Sequence, residues 1–374
     1  MVRYIEAILM LSGMIIGVGM FGIPYVFAAS GFWLGTVLLV VLTAIAVFLH
    51  LLYGEIVLHT HGVHRMPGYA RIYLGENAAA LAWFSALFDG VGSLLAYAIL
   101  GAAFLQTTGS VLGFSLGIFT WFFTILFIGA SITLLPLRRE AFVNGLLTVL
   151  LVGFVLALVF TLAPQVKTEN LVGLDFTNTF LPYGVLLFEL SGAIIIPDII
   201  ALLGRERKHA RSAIVAGTII PAFVYFIFAL AVVGVLGNTV GEEAMNSLRS
   251  ISGDRVILWG SLIGFLAVFT SFVIFSKSFQ MLLRYDLSMS APHAWSLAFG
   301  LPLFLYFLGI INFIAIMVFV GALAVAIDSL LIFRMHNALE SRLGQEPSRM
   351  SRAGKTGIYI FLMIGLGAVI ISYL

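Results

Sequence analysis

Residues 11–24 read Leu-Ser-Gly-Met-Ile-Ile-Gly-Val-Gly-Met-Phe-Gly-Ile-Pro and lie inside an apolar run that covers 4–29. Its four glycines and one proline exceed what close helix packing needs, since Gly13 and Gly17 alone satisfy a small-xxx-small contact. Glycine costs about 1 kcal/mol and proline about 3 kcal/mol in a helix interior. The stretch therefore predicts a membrane helix that is broken near its middle, where free backbone groups line a cavity or bind a ligand.

The composition around this stretch is that of an integral membrane protein. Of the 374 residues, 61% are hydrophobic and only 10% are charged, whereas a soluble domain has about 45–50% apolar and about 25% charged residues. This excludes a soluble enzyme, a disordered chain and a nucleic-acid-binding protein. The sequence contains no cysteine, which excludes a disulfide, a thiolate metal site and a cysteine nucleophile.

Eleven apolar stretches are long enough to cross a bilayer, for which a helix needs about 20 residues. We number them spans 1 to 11, and they cover 4–29, 32–58, 78–107, 111–135, 141–163, 179–203, 211–236, 256–280, 291–309, 312–335 and 356–374. The segments between them are too short for a soluble domain. The sequence predicts an all-α membrane protein with one transmembrane domain over 1–374.

The placement of lysine and arginine predicts the orientation. If the N-terminus is cytoplasmic, only Lys167, Arg249 and Arg255 of the 19 lysines and arginines fall in outer segments. Basic residues concentrate on the cytoplasmic side of membrane proteins. We therefore expect a multi-pass protein of the cell membrane with a cytoplasmic N-terminus and, with eleven spans, an outside C-terminus.

Span 6 contains a second break of the same kind. Residues 188–198 read Phe-Glu-Leu-Ser-Gly-Ala-Ile-Ile-Ile-Pro-Asp, so an acid, a Ser-Gly pair and a proline interrupt an apolar run. Interrupted spans at corresponding positions of two halves are typical of secondary transporters with inverted repeats. We place the five-helix repeats at 4–163 and 179–335, with 356–374 as an additional helix.

The chemistry of such breaks suggests the kind of ligand. The N-terminus of a half-helix presents free N–H groups and a positive dipole end, which attract a carboxylate. Freed carbonyl groups attract a cation or an ammonium group. An α-amino acid carries both charges close together. The two breaks therefore predict a zwitterionic substrate.

Several motifs resemble the amino acid–polyamine–organocation superfamily, and within it the amino acid/auxin permease group that includes bacterial aromatic amino acid permeases. The motifs are 13–24 in span 1, Ala96-Tyr97 with Gly101 in span 3, 196–199 in span 6, 213–221 in span 7 and 270–272 in span 8. The resemblance implies a cation-coupled symporter that imports amino acids by alternating access, and not an enzyme. A membrane sensor that binds an amino acid without net transport is the alternative.

The resemblance also implies a substrate site between spans 1 and 6. Its expected residues are Gly17, Val18, Gly19, Met20, Phe21, Tyr97, Phe188, Glu189, Ser191 and Gly192. The amides of 17–19 would take the substrate carboxylate, the break of span 6 would receive the amino group, and Tyr97 would cover the substrate. The apolar members favour a large neutral or aromatic amino acid, whereas Glu189 would favour a cationic one.

The coupling ion is left open between Na⁺ and H⁺. The resemblance implies a Na⁺ site formed by Gly13, Ile16, Ala267, Thr270 and Ser271, but proton-coupled members also keep the Thr-Ser pair. Glu189 replaces an expected small or hydroxyl residue, so it is a candidate for binding the amine, replacing a cation or carrying the coupling proton. Asp89 in span 3 is a second candidate for proton coupling, against a purely structural role.

Beyond the coupling ion we expect no cofactor and no other metal. The expected partners are the amino acid substrate and membrane lipids, with no nucleic acid, and the oligomeric state is left open. Two further buried acids are expected to be structural. Asp198 would pair with a basic residue of the 203–211 loop or cap span 6, and Asp328 would pair with Arg334.

Overall fold

The computed structural model describes residues 2–62, 64–134, 140–242, 244–344 and 349–373, and within these ranges all regular structure is helical. The α-helices in chain order are α1 (Val2–Ile15), α2 (Ile23–Ser30), α3 (Phe32–His59), α4 (Met66–Leu74), α5 (Glu76–Val111), α6 (Ile118–Thr133), α7 (Glu140–Leu162), α8 (Phe180–Glu189), α9 (Ile196–Leu202), α10 (Arg207–Leu236), α11 (Ala244–Ser247), α12 (Arg249–Asp286), α13 (Ala291–Phe307), α14 (Phe313–Arg342) and α15 (Arg349–Ser372). Short 3₁₀ helices lie between α1 and α2 (Val18–Gly22) and between α8 and α9 (Ala193–Ile195).

Each of the eleven predicted spans contains one helix or one helix pair of the structure. By length and composition, eight helical segments of the described residues suit a membrane span, and the bent pair α1–α2 makes nine. Helices α6 and α13 are shorter, with 16 and 17 residues. The all-helical transmembrane architecture is confirmed, while the count of eleven crossings and the repeat boundaries stay predictions.

Both predicted breaks are present. In span 1, α1 ends at Ile15, a 3₁₀ turn covers Val18–Gly22, and the two helical halves meet at an angle of 50°. In span 6, α8 ends at Glu189 and α9 begins only at Ile196. Each second half carries its proline in the first turn, where the missing N–H breaks no helical hydrogen bond.

The broken spans lie in the centre of the helix bundle. Helix α1 packs against α10, α8 packs against α14, and α5 packs against both α12 and α14. Large phenylalanines such as Phe127, Phe160 and Phe223 point outward and are exposed. Because lipid is the expected surrounding of these side chains, their exposure agrees with a membrane-embedded bundle.

The segments between spans gather at two opposite sets of helix ends. Glu55 at the end of α3 forms ion pairs with Arg207 and Arg211, the latter at 3.4 Å. At the other set of ends, the N–H of Asp175 donates to the Ser30 carbonyl at 2.8 Å. Each of these contacts joins segments that were predicted to share a side. Which side is cytoplasmic remains a prediction.

Candidate functional site

A cavity lies between the two broken spans, and we call it the central cavity. From the breaks it is lined by Ile15, Gly17, Phe188, Glu189 and Ser191. The walls from α5 and α12 add Asp89, Ser93, Tyr97, Phe275, Ser278 and Phe279, and Arg65 and Asp328 line its far end. Five of the ten residues predicted for the substrate site thus line one cavity.

Gly17 and Tyr97 meet at the break of span 1. A Cβ on Gly17 would lie 3.5 Å from the hydroxyl oxygen of Tyr97, so the tyrosine side chain reaches the backbone of the break. Tyr97 is buried, and its ring lies 5.8 Å from the ring of Phe275. The aromatic side chain expected over the substrate therefore faces the cavity next to the break of span 1, where the N–H of Gly17 donates to the Ile15 carbonyl at 2.7 Å.

Gly19 lies behind the cavity wall, against Glu189. A Cβ on Gly19 would overlap the Glu189 carboxyl group and would come within 2.7 Å of the Met317 sulfur. The Glu189 carboxyl is close enough to the backbone of Gly19 to interact with it. An acid of this chain therefore lies against one of the amides that the resemblance assigned to the substrate carboxylate.

Tyr225 of α10 contacts both breaks, a connection that the sequence did not reveal. Its hydroxyl is hydrogen-bonded to the backbone carbonyl of Ile15 and lies 3.1 Å from Oε2 of Glu189. The side chain is fully buried. In the sequence, Tyr225 is marked only by Pro221, one helical turn earlier. This proline does not distinguish Tyr225 from the other aromatic residues of the apolar spans.

Met20 and Phe21 point away from the central cavity. Both are fully buried, and Phe21 packs edge-on against Phe104 and Phe228, with ring centroids 4.7 and 5.9 Å away. These rings form an aromatic cluster on the other side of the break of span 1. Val18 begins the 3₁₀ turn, and its side chain lies outside the described part of the structure.

The break of span 6 is fixed by His50 of α3. The N–H of Gly192 donates to Nε2 of His50 at 3.2 Å, and Nδ1 of the same ring lies 3.0 Å from the hydroxyl of Thr218. Since Nε2 accepts, the proton of a neutral ring sits on Nδ1. Gly192 itself lies against Leu11, where a Cβ would come within 2.7 Å.

The residues predicted to bind Na⁺ lie apart from the central cavity. The Thr270 hydroxyl donates to the carbonyls of Leu266 and Ala267, at 2.9 and 3.0 Å. Ser271 is buried in α12, and the N–H of Ile16 donates to the Ser12 carbonyl at 2.7 Å. Gly13 lies within α1. The Na⁺ site stays a prediction.

Two further acids line the cavity, each with a serine partner. Asp89 accepts a hydrogen bond from Ser93 at 3.1 Å, and Asp328 accepts one from Ser85 at 2.8 Å. The expected Asp328–Arg334 pair is wrong, because residues six apart on a helix point to different faces. Both acids therefore face the cavity with a serine hydroxyl as hydrogen-bond partner.

Asp198 also has a partner that the sequence did not indicate. It forms an ion pair with Arg65 at 2.7 Å, and Arg65 also donates to the Ile194 carbonyl at 3.0 Å. Arg65 precedes α4 in the chain, so the expected pairing with 203–211 is wrong. This ion pair joins the α3–α4 connection to the second half of span 6 at the end of the cavity.

Two broken helices around a buried, partly polar cavity define the fold of secondary transporters. The chain is similar over 99% of its length to two solved structures, at identities that show the fold alone. One is Mhp1, a nucleobase-cation-symport-1 family transporter with bromovinylhydantoin bound, with a TM-score of 0.67, 11% identity and 90% of that chain covered. The other is MhsT in complex with L-phenylalanine, with a TM-score of 0.68, 14% identity and 98% of that chain covered.

The sequence also matches the tryptophan/tyrosine permease family over residues 2–373, and the chain belongs to this family. This confirms the resemblance to aromatic amino acid permeases. "Tyrosine-specific transport system 2" of Haemophilus influenzae is 29% identical over 259 residues, which cover 66% of this chain and 61% of that protein. "Tyrosine-specific transport system 1" of the same organism is 26% identical over 292 residues, with coverages of 72% and 70%.

Proposed function

We propose that this protein is a secondary active transporter that imports an aromatic amino acid together with a proton. Its family and its fold support a permease rather than an enzyme. The relatives are named for tyrosine transport, and one structural neighbour was solved with L-phenylalanine. The observation that carries the choice of the proton is the contact between Glu189 and Gly19.

A charged Glu189 would oppose binding of the substrate carboxylate. Its carboxyl lies against Gly19, two residues from Gly17, whose backbone reaches the cavity beside Tyr97. Like charges a few ångströms apart in a buried site repel strongly. A neutral Glu189 removes this repulsion, so proton and substrate favour each other's binding. Such positive linkage is what proton symport requires.

The cavity walls suit an aromatic side chain. Tyr97, Phe188, Phe275 and Phe279 all line the central cavity. Aromatic rings pair favourably edge-to-face or offset-stacked, beyond the area that they bury. We therefore assign the substrate side chain to the wall formed by α5, α8 and α12. The buried side chains of Met20 and Phe21 would close the site on its other side.

Uptake into proteoliposomes tests this function. We expect labelled tyrosine, tryptophan or phenylalanine to accumulate when the outside is more acidic than the inside, with choline in place of Na⁺. Accumulation that requires Na⁺ and ignores the pH gradient would contradict proton coupling. Binding of the amino acid without any uptake would favour the sensor.

A further inference from the structure

The hydroxyl of Tyr225 lies between two oxygen atoms that belong to different broken spans. One is the backbone carbonyl of Ile15, the last residue of α1, and the other is Oε2 of Glu189, the last residue of α8. The Ile15 carbonyl also accepts from the N–H of Gly17 at 2.7 Å, and the backbone carbonyl of Glu189 is a more distant acceptor for Tyr225, at 3.4 Å. All of this is buried. A tyrosine hydroxyl carries a single hydrogen, so it donates to only one of these oxygens at a time.

The two protonation states of Glu189 differ in the hydrogen bonds that they allow. A charged carboxylate only accepts, so it competes with the Ile15 carbonyl for the one hydrogen of Tyr225. If the hydrogen turns to the carboxylate, the Ile15 carbonyl is left with the Gly17 N–H as its one donor, which is less favourable in a buried site. A protonated Glu189 donates from Oε2 to Tyr225, and Tyr225 donates to Ile15. The other oxygen, Oε1, is the one nearest to Gly19.

We infer that Tyr225 is the positioning residue that transmits the protonation of Glu189 to the break of span 1, an inference that rests on the proton coupling proposed above. With the proton bound, a hydrogen-bond chain runs from Glu189 through Tyr225 to Ile15, and the Glu189 carboxyl also lies against Gly19. Gly19 and Ile15 lie on the two sides of the same break. The protonated chain therefore ties both sides of span 1 to spans 6 and 7.

Release of the proton removes one of these ties. The hydrogen of Tyr225 turns to the charged carboxylate, and the Ile15 carbonyl at the end of α1 keeps only the N–H of Gly17 as donor, at 2.7 Å. Ile15 lines the central cavity, so this loss occurs beside the proposed substrate site. The first half of span 1 is then held to span 7 by one contact fewer, which links the proton to movement of that half-helix.

Other titratable groups near Glu189 have to be separated from this effect. On α5, Tyr97 is close enough to Glu189 to interact with it, and Asp89 lies along the same cavity wall. Asp328 and Arg65 line the far end of the cavity. Helix α14 contributes the uncharged Met317 near Gly19. On α3, His50 binds Gly192 rather than the Glu189 carboxyl.

Tyr225→Phe tests the inference because it removes only the hydroxyl. We expect the accumulation ratio under a pH gradient to fall by about tenfold, within the usual range of site-to-site coupling. Substrate exchange across the membrane without a gradient should persist. The matched control is Tyr183→Phe, which removes a buried hydroxyl that donates to the Leu362 carbonyl at 2.8 Å, away from the cavity. The control should keep the wild-type ratio.

A second comparison separates this inference from the proposed function. If wild type shows no proton-driven uptake, the proposed function fails. If Glu189→Gln is uncoupled while a well-folded Tyr225→Phe keeps wild-type accumulation and pH profile, the role of Tyr225 alone is overturned. In the Glu189→Gln background, Tyr225→Phe should change the pH profile no further.

Infrared spectroscopy keeps the test open if Tyr225→Phe folds poorly. The C=O stretch of a protonated Glu189 is identified as the carboxyl band that Glu189→Gln removes. Incorporation of 3-fluorotyrosine changes the strength of the tyrosine hydroxyl as a hydrogen-bond partner and leaves its size nearly unchanged. The inference requires this band to shift when position 225 is fluorinated selectively. An unshifted band overturns it.

Discussion

The carboxyl group of Glu189, at the end of α8, lies against the backbone of Gly19 in the turn between α1 and α2. The two breaks of the bundle thus meet through an acid of one and an amide of the other. Span 6 thereby reaches into the break of span 1. Any charge on this acid acts directly on the place where backbone N–H groups would receive a substrate carboxylate.

Glu189→Gln should uncouple transport from the proton. The amide keeps the size and most hydrogen bonds of the acid but cannot titrate. We expect uptake driven by a pH gradient to be lost, while counterflow exchange of labelled substrate persists because it needs no net proton movement. Glu169→Gln, a change at an exposed acid between spans 5 and 6, serves as the control. A variant that still concentrates substrate with the wild-type pH profile would make Asp89 the next candidate.

Gly19→Leu should abolish substrate binding and leave the protein inserted in the membrane. Any side chain at this position meets the Glu189 carboxyl and the Met317 sulfur, which forces the two breaks apart. Gly367→Leu in α15, where a Cβ meets nothing within 4 Å, is the matched change. Binding is measured by scintillation proximity on purified protein. Wild-type affinity in a well-folded Gly19→Leu variant would refute a carboxylate site at this break.

The double variant Thr270→Val/Ser271→Ala should accumulate substrate to within about twofold of wild type, as is usual when no functional contact is lost. The Thr270 hydroxyl is already bonded to carbonyls of its own helix. Uptake is compared in Na⁺ and in choline buffers. Na⁺ stimulation in wild type that disappears in the double variant would instead support the Na⁺ site with Gly13, Ile16 and Ala267.

The Arg65–Asp198 ion pair should restrict access to the central cavity. The chain contains no cysteine, so Ser278→Cys, on the cavity wall, introduces a single thiol for labelling. We expect a membrane-impermeant maleimide to react several-fold faster when Arg65→Gln removes the pair. Bound substrate should slow the reaction. Equal labelling rates with and without Arg65→Gln would show that the pair does not limit access.

The sequence by itself determined the membrane architecture and the two breaks. The apolar runs specify helices because backbone groups within a bilayer must bond internally. The breaks at 11–24 and 188–198 follow from local backbone preferences, since glycine and proline disfavour a continuous helix wherever they stand. Tyr97 and Gly17, which the resemblance assigned to one site, line the same cavity, and their role in substrate binding stays a prediction.

Only the tertiary structure decided which side chains meet across spans. Glu189 with Tyr225, Asp198 with Arg65 and Asp328 with Ser85 are pairs joined by helix packing, far apart along the chain. The rotation of each helix also turns Phe21 away from the cavity and the Thr270 hydroxyl toward its own backbone. Such directions depend on how neighbouring helices interlock. A uniformly apolar span carries no periodic pattern that would reveal them.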